Sequence, residues 1–325
     1  MKSFLKLIVL LVLGGACYIA FGLLRLTDPG RQNFVLLRPG SSARHIAHEL
    51  RDHGVIASWP AFLLLHYWKA RPLKAGEYLF DRPSDALEVY DRLVRGDSYV
   101  HTVVIPEGFN MYDVAAAIQS AGLGSAADFL KFARSDATAI SDLDPSAKSL
   151  EGYLFPDTYR FTRTQDMQDI VLSMVRRFRQ EAKQVGLSSD VHRVVTMASI
   201  VEKETGAPEE RPLVASVYYN RMQKGMAFDA DPTVIYAALL EGRYRGTIYQ
   251  SDLQSSSPYN SYKFPGLPPG PIANPGRDAL LAAMHPAESR YLYFVSDNNG
   301  HHRFATSLAE HNKNVLAYRH SAGGH

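Results

Sequence analysis

The residues best placed to do acid–base chemistry are two glutamates separated by one lysine, at the end of Val191-His192-Arg193-Val194-Val195-Thr196-Met197-Ala198-Ser199-Ile200-Val201-Glu202-Lys203-Glu204. Val191, Val194, Val195, Ala198 and Val201 recur at helical spacing and form one apolar stripe. At about 100° per residue, Glu202 falls within about 20° of Val191 and Val195, and Glu204 falls on the opposite face. The wheel predicts one carboxylate among valines and a neighbour facing water. A carboxyl group in apolar surroundings keeps its proton to higher pH and can act as a general acid near neutrality. The competing reading of Glu202 is a helix-end position or a pair with a buried arginine.

What surrounds such an acid decides its reaction. Ser255 to Gly276 contains six prolines and the aromatics Tyr259, Tyr262 and Phe264, and helical patterns flank it on both sides. It reads as a rigid loop. Tyr259 and Tyr262 can stack on sugar faces while Asn260 and backbone carbonyls hydrogen-bond hydroxyls, which suits glycosidic bond cleavage; a half-buried core position would use the same tyrosines. Hydrolysis of such a bond usually takes a second carboxylate. Asp229 and Asp231 are the candidates, with helix capping as the alternative, because Pro232 opens a helical pattern from Val234 to Leu240.

These parts need elements to hold them. The 325 residues, 46% hydrophobic and 21% charged, suffice for more than one domain with a sizeable core. A net charge of +2 without a basic stripe argues against nucleic acid as a partner. Cys17 is the single cysteine, which excludes an internal disulfide and a cysteine-rich zinc site. Leu7 to Leu24 is free of charge, Lys2 and Lys6 precede it, and Arg25 ends it. Such a run is long enough to cross a bilayer, and with no clear small-x-small cleavage site after it, a retained anchor is expected over a cleaved signal or a lipoprotein signal at Cys17. Arg25, Arg31 and Arg38 rival the two lysines, so charge leaves the orientation open.

A pattern then occurs twice. Phe34–Leu37, the Pro39-Gly40 turn, a cap at Ser41 or Ser42 and a helix with Ile46, Ala47 and Leu50 are matched by Val103–Ile105, Pro106-Glu107-Gly108, a cap at Asn110 and a helix with Val114, Ala115 and Ile118. Gly40 to Gly54 and Gly108 to Gly122 span fourteen residues each, at an offset of 68. Phe62 answers Phe129, and Gly76–Phe80 answers Glu151–Phe155, which predicts a duplicated strand–helix–helix–strand–helix unit. Arg211 to Lys224 reads as a helix. Tyr291–Val295 and His301–Ala305 read as a hairpin through Asn299-Gly300, and Ser307-x-x-Glu310 opens a last helix to about Arg319.

Several motifs together carry a resemblance. Ala198-Ser199-Ile200-Val201-Glu202-Lys203-Glu204-Thr205, Asp231-Pro232-Thr233-Val234-Ile235-Tyr236, Tyr259-Asn260-Ser261-Tyr262, Gly266-Leu267-Pro268-Pro269-Gly270-Pro271-Ile272 and Asn274-Pro275-Gly276 resemble the YceG-like endolytic murein transglycosylase family. Glu151 to Tyr159, His285-Pro286 and Tyr293-Phe294-Val295 fit it too, and the motifs run in order over roughly residues 35 to 318. The family pattern usually has Thr where Ser261 stands. The resemblance implies an α+β protein of the bacterial inner membrane. Its parts would be a cytoplasmic N-terminus (1–6), a single transmembrane helix (7–24), a tether (25–33), a small LysM-like α/β module (34–98), a mixed α+β catalytic domain on the periplasmic side (99–318) with internal similarity to that module, and a tail (319–325). It implies a lyase that cuts nascent peptidoglycan strands internally between N-acetylmuramic acid and N-acetylglucosamine, leaves 1,6-anhydro-muramyl ends and ends strand elongation near the peptidoglycan synthases. Glu202 is the expected catalytic residue. Asp231, Thr233, Tyr259, Asn260, Tyr262, Leu267, Pro268, Asn274 and His302 are the expected substrate contacts, with no metal and no cofactor.

Two other functions compete. A metal hydrolase would need His285, His301, His302 and His311, whose spacing matches no helical ligand pair, and adjacent histidines on a strand point to opposite faces; His302 and His311 are instead expected to line the groove. A membrane-tethered, non-catalytic wall-binding scaffold would use the LysM-like module alone.

Overall fold

In a computed structural model, which describes residues 2–135 and 137–322, the chain forms two compact units, Met1–Thr102 with Arg160–Asp166, and Val103–Tyr159 with Met167–His325. The first opens with α1 (Lys2–Leu24), whose side chains are exposed almost throughout. It continues through β1 (Asn33–Leu37), α2 (Ala43–Asp52), α3 (Trp59–Lys69), β2 (Gly76–Phe80) and α4 (Ala86–Arg95). β1 and β2 pair antiparallel, Asn33 opposite Phe80 and Leu37 opposite Gly76. Strand alternation sends Val35 and Leu37 inward to meet Ile46, Leu50, Phe62, Tyr78, Val89 and Leu93 in one core. The helices start where oxygen-bearing caps stand: Ser42 accepts from the His45 amide, and Asp85 accepts from those of Leu87 and Glu88. The segment expected as a tether is stitched down, for Thr27 and Ser84 exchange backbone hydrogen bonds and Thr27 Oγ1 donates to the Val55 carbonyl at 2.6 Å.

β3 (His101–Val104) and β4 (Thr158–Phe161) pair with each other. Between them lie α5 (Met111–Ser120), capped reciprocally by Asn110 and Asp113, and α6 (Ala126–Ser135). Phe62 on α3 and Phe129 on α6 are both fully buried. The expected match of Gly76–Phe80 with Glu151–Phe155 is corrected, because Glu151–Phe155 forms buried turns and the strand follows at β4.

α7 (Met167–Val185) leads to α8 (Val191–Glu204), α9 (Arg211–Gln223), α10 (Asp231–Leu240), the single turn α11 (Gln250–Leu253) and α12 (Arg277–Met284). β5 (Tyr293–Ser296) and β6 (His302–Ala305) make the expected antiparallel hairpin, and α13 (Leu308–Ala322) runs three residues past the expected Arg319. Of the expected tail, 323–325 lies outside the described residues. α8 is the pivot of this unit. It packs against α9, α10 and α12, so every residue from Val194 to Val201 is buried, Thr196 and Ser199 included. A helix buried through its middle, with only Arg193 and Lys203 exposed near its ends, has no continuous wet face for a wheel to identify.

Candidate active site

The end of α8 delivers both glutamates to enclosed places. Glu204, expected to face water, lines a cavity of about 400 Å³ with Tyr218, Arg221, Asp229, Asp231, Tyr262 and His311. That expectation is corrected, and the reason is the packing around α8: α9 lies over the face that periodicity assigned to solvent. The Tyr218 hydroxyl donates to Glu204 Oε1 at 2.8 Å. Burial pushes the Glu204 carboxyl up to about 7; the negative charge of Asp231 adds to the rise, while the Tyr218 hydroxyl and Arg221 oppose it. An acid poised near neutrality in a cavity of this size has the protonation and the room for general acid catalysis on a small ring.

The cavity walls are tied to one buried cation. The Arg221 guanidinium donates to the Leu292 carbonyl at 2.6 Å, to the Ala227 and Phe228 carbonyls at 3.0 and 2.8 Å, and to Asp229 Oδ2 at 3.2 Å. Asp229 sits in the left-handed region at φ 51° and leads the chain into α10. Asp231, first residue of α10, makes no cap; it accepts from the Tyr262 hydroxyl at 2.7 Å. The Tyr293 ring stacks on His311 at 5.1 Å, and burial together with Arg221 holds the His311 imidazole below its usual range, hence neutral near pH 7.

Glu202 occupies a different setting. Its Oε1 accepts from Arg211 Nη2 at 2.7 Å, with side-chain exposures of 5% and 7% for the pair, and its Oε2 accepts from the Gly276 amide at 2.9 Å. Gly276 is the N-cap of α12, so the carboxylate also meets the positive end of that helix. Burial raises the Glu202 carboxyl, and the Gly276 amide and Arg211 oppose the rise. Both oxygens are spent on structure, and the arginine pairing weighed in the sequence is the arrangement found.

The expected substrate contacts separate into groups. Asp231 and Tyr262 face the Glu204 cavity, and His311 joins them. Tyr259 lines a second cavity of about 250 Å³ with Glu151, Tyr153, His192 and Pro269–Pro271. His302 lines neither, for its amide and Nδ1 engage Glu210 at 2.9 and 2.7 Å. Thr233 is fully buried; its hydroxyl donates to the Ala230 carbonyl at 2.7 Å and lies 2.8 Å from Ser261 Oγ. Asn260 donates to the Leu253 and Ser255 carbonyls and accepts from the Tyr262 amide, which ties the proline-rich loop to itself. Asn274 accepts from the Leu154 amide at 2.9 Å and donates to the Phe109 carbonyl at 2.8 Å. Pro268 is buried and Leu267 half-buried, away from both cavities. Hydrogen-bonding groups of Thr233, Asn260 and Asn274 engage the frame.

Sequence reasoning passed over Tyr218, Arg221 and Glu151. Tyr218 and Arg221 stand three apart on α9 and share a face; two polar groups at that spacing beside an apolar stripe were the available signal. Glu151 follows Leu150 in a buried turn, and both its oxygens accept from the Met111 amide at 3.0–3.1 Å. Burial pushes its carboxyl up to about 8 against that amide's pull.

The profile of the YceG-like family matches residues 35–317. A Bacillus subtilis (strain 168) protein named endolytic murein transglycosylase is 34% identical over 336 residues, covering 93% of this chain and 90% of that protein. A Streptococcus pneumoniae (serotype 2, strain D39) protein of the same name is 28% identical over 364 residues, covering 97% of this chain and 64% of its own length. Among solved structures, a YceG-like protein of Listeria monocytogenes superposes with a TM-score of 0.57 at 34% identity, covering 87% of this chain and 99% of that one.

Proposed function

Because this chain belongs to the YceG-like family, we propose that it is a lytic transglycosylase of the bacterial cell wall, with peptidoglycan as its substrate and Glu204 as its acid–base group. The enzyme class and substrate follow from the relatives named endolytic murein transglycosylase. The observation that carries the choice of residue is the enclosed Glu204 carboxyl, held near neutrality beside Asp231 and Tyr262 in one cavity. Glu202, with both oxygens committed to Arg211 and Gly276, is a structural ion.

Protonated Glu204 gives its proton to the oxygen that links N-acetylmuramic acid to N-acetylglucosamine, and the C1–O bond breaks. Positive charge develops at the muramyl ring and faces the Asp231 carboxylate, which Tyr262 orients. The Glu204 carboxylate then takes the proton of the muramyl C6 hydroxyl as that oxygen bonds to C1. The acid is regenerated, no water is consumed, and the product ends in a 1,6-anhydro ring. A two-carboxylate muramidase is the second reading, favoured by the presence of Asp231 in the same cavity; it would leave a reducing muramic acid end.

The remaining assignments belong to the same reading. The 23 residues of α1, about 34 Å at 1.5 Å each, are enough to cross the hydrocarbon core of a bilayer, so the chain is a single-pass inner-membrane protein with its bulk in the periplasm, where nascent strands leave their synthases. Residues 34–98, in β–α–α–β order with β1 against β2, are a LysM-like glycan-binding module. The recurrence of that order in β3, α5, α6 and β4 supports descent of both from one duplicated unit. Incubating the full chain with uncrosslinked glycan strands and sizing the products tests the reading. Internal cleavage yields intermediate lengths from the outset and is lost in Glu204→Gln. Unchanged strands with wild type would make the protein a scaffold, and disaccharides alone would make it an end-acting enzyme.

A further inference from the structure

The last turns of α1 are part of the first unit. A Cβ on Gly22 would lie 2.7 Å from Ser58 Cβ and 2.9 Å from Ala61 Cβ, so the glycine lets α1 and α3 approach closely. One turn earlier, Ser58 Oγ donates to the Tyr18 hydroxyl at 3.2 Å, and Leu23 packs on the unit's core. Tyr18 stands seven residues before Arg25, about 10 Å along the helix axis. The start of α3 is therefore held beside the final stretch of the apolar run, short of the charge that ends it.

α3 has two apolar faces. Phe62 and Leu65 point into the core, and Ala61 is buried against α1. The outward residues are Pro60, Leu64, Tyr67 and Trp68, at the i, i+4, i+7, i+8 spacing of one helical face. Leu64 is 49% exposed, Tyr67 71% and Trp68 80%. A helix facing water carries polar residues there; tyrosine and tryptophan beside exposed basic groups are the composition of a membrane–water boundary. Arg25 and Arg71 are exposed at the two ends of this face's neighbourhood and can meet anionic headgroups. α1 continues the same apolar surface, exposed from Phe4 to Val12 and again at Tyr18, Phe21 and Leu24.

We propose that the outward face of α3, carried by Leu64, Tyr67 and Trp68, lies in the headgroup region of the bilayer beside α1, so that the first unit rests on the membrane surface. The inference depends on α1 crossing the bilayer as proposed above, and its partner is lipid rather than a second protein. Trp59 and Trp68 are the chain's two tryptophans; Trp59 is half-buried and stacked on His48. In the full-length Trp59→Phe variant, Trp68 becomes the lone reporter. With this variant in phosphatidylcholine–phosphatidylglycerol nanodiscs, Trp68 should lose most of its emission when the acyl chains carry bromine and resist quenching by aqueous iodide. Full-length Trp68→Phe, reporting Trp59, should be quenched less by bromine. Ready iodide quenching with no bromine effect, in discs that retain the protein, overturns the docking and leaves the span intact. Failure of the chain to stay in the discs removes the span, and the docking with it.

Discussion

Exchanging each glutamate of the Glu202-Lys203-Glu204 pair for glutamine separates catalysis from structure. Glu204→Gln keeps side-chain volume and keeps an oxygen for the Tyr218 hydroxyl, which donates at 2.8 Å, but has no proton to give. Loss of a general acid costs about 10²–10⁴ in rate, equal to about 2.7–5.4 kcal/mol of barrier at 1.36 kcal/mol per tenfold. Its folding stability should be retained or raised. Glu202→Gln does the reverse. It leaves the buried Arg211 guanidinium facing a neutral amide, and removing one partner of a buried pair costs about 3–5 kcal/mol. Glu107, 3.4 Å from Arg211 and itself largely exposed, offsets part of this, so the low end of that range is expected. The assay pairs initial rates of glycan-strand shortening, normalised to folded protein, with thermal melting of each full-length variant. The predicted outcome is a melt no lower than wild type with little or no activity for Glu204→Gln, and a lowered melt with a rate within about tenfold of wild type for Glu202→Gln, since the uninvolved group contributes nothing to the 10²–10⁴ term. Wild-type rates from Glu204→Gln, or a silent, fully stable Glu202→Gln, would refute the assignment.

Further consequences follow from the same contacts. With the Glu204 carboxyl at about 7 against 4.5 for an unperturbed glutamate, the folded state holds a proton that the unfolded chain has already released. The stability this provides is complete below about pH 4.5 and is lost as pH rises to about 7, by at most about 1.4 kcal/mol per unit; the margin of Glu204→Gln over wild type should grow across that window in denaturant titrations and stay level below and above it. The wild-type rate should fall on the alkaline side as pH passes about 7, where the acid loses its proton. Tyr262→Phe removes the donor to Asp231 and should lower kcat by at most about 10- to 150-fold, the ~1.5–3 kcal/mol of a hydrogen bond to a charged group; an unchanged kcat would remove Asp231 orientation from the mechanism. Gly152→Ala should destabilise by ~1–3 kcal/mol through crowding, with added backbone strain, because φ is 89° there and a Cβ would lie 2.6 Å from Pro271 Cβ and 2.8 Å from Val195 Cγ1; the urea midpoint reads it.

Local chemistry in the sequence located most elements. Ser42 and Asn110 cap the helices they were expected to cap, and the Asn-Gly hairpin pairs Tyr293 with Ala305. These features are decided within a few residues of themselves. The facing of Glu202 and Glu204 is not, because α9, α10 and α12 pack around α8, and both carboxylates end up enclosed with opposite kinds of partner. Thr233, Asn260 and Asn274 show a related limit. Residue type announces hydrogen-bonding capacity, whereas only the fold reveals that a backbone partner such as Ala230, Ser255 or Phe109 already consumes it. Glu151 stood in a recognised motif but drew no role of its own; its distinction is burial beneath Tyr236, which hydrogen-bonds it.

The central claim is that one enclosed carboxyl group shuttles a proton while the substrate's own hydroxyl closes the ring. Mass spectrometry of strands cleaved by the full chain in ¹⁸O-labelled water tests this most directly. The account predicts muramyl ends that lack the elements of water and carry no label, formed by wild type and not by Glu204→Gln. Labelled, reducing muramic acid ends would contradict it and transfer the chemistry to a hydrolase using Asp231 as second acid.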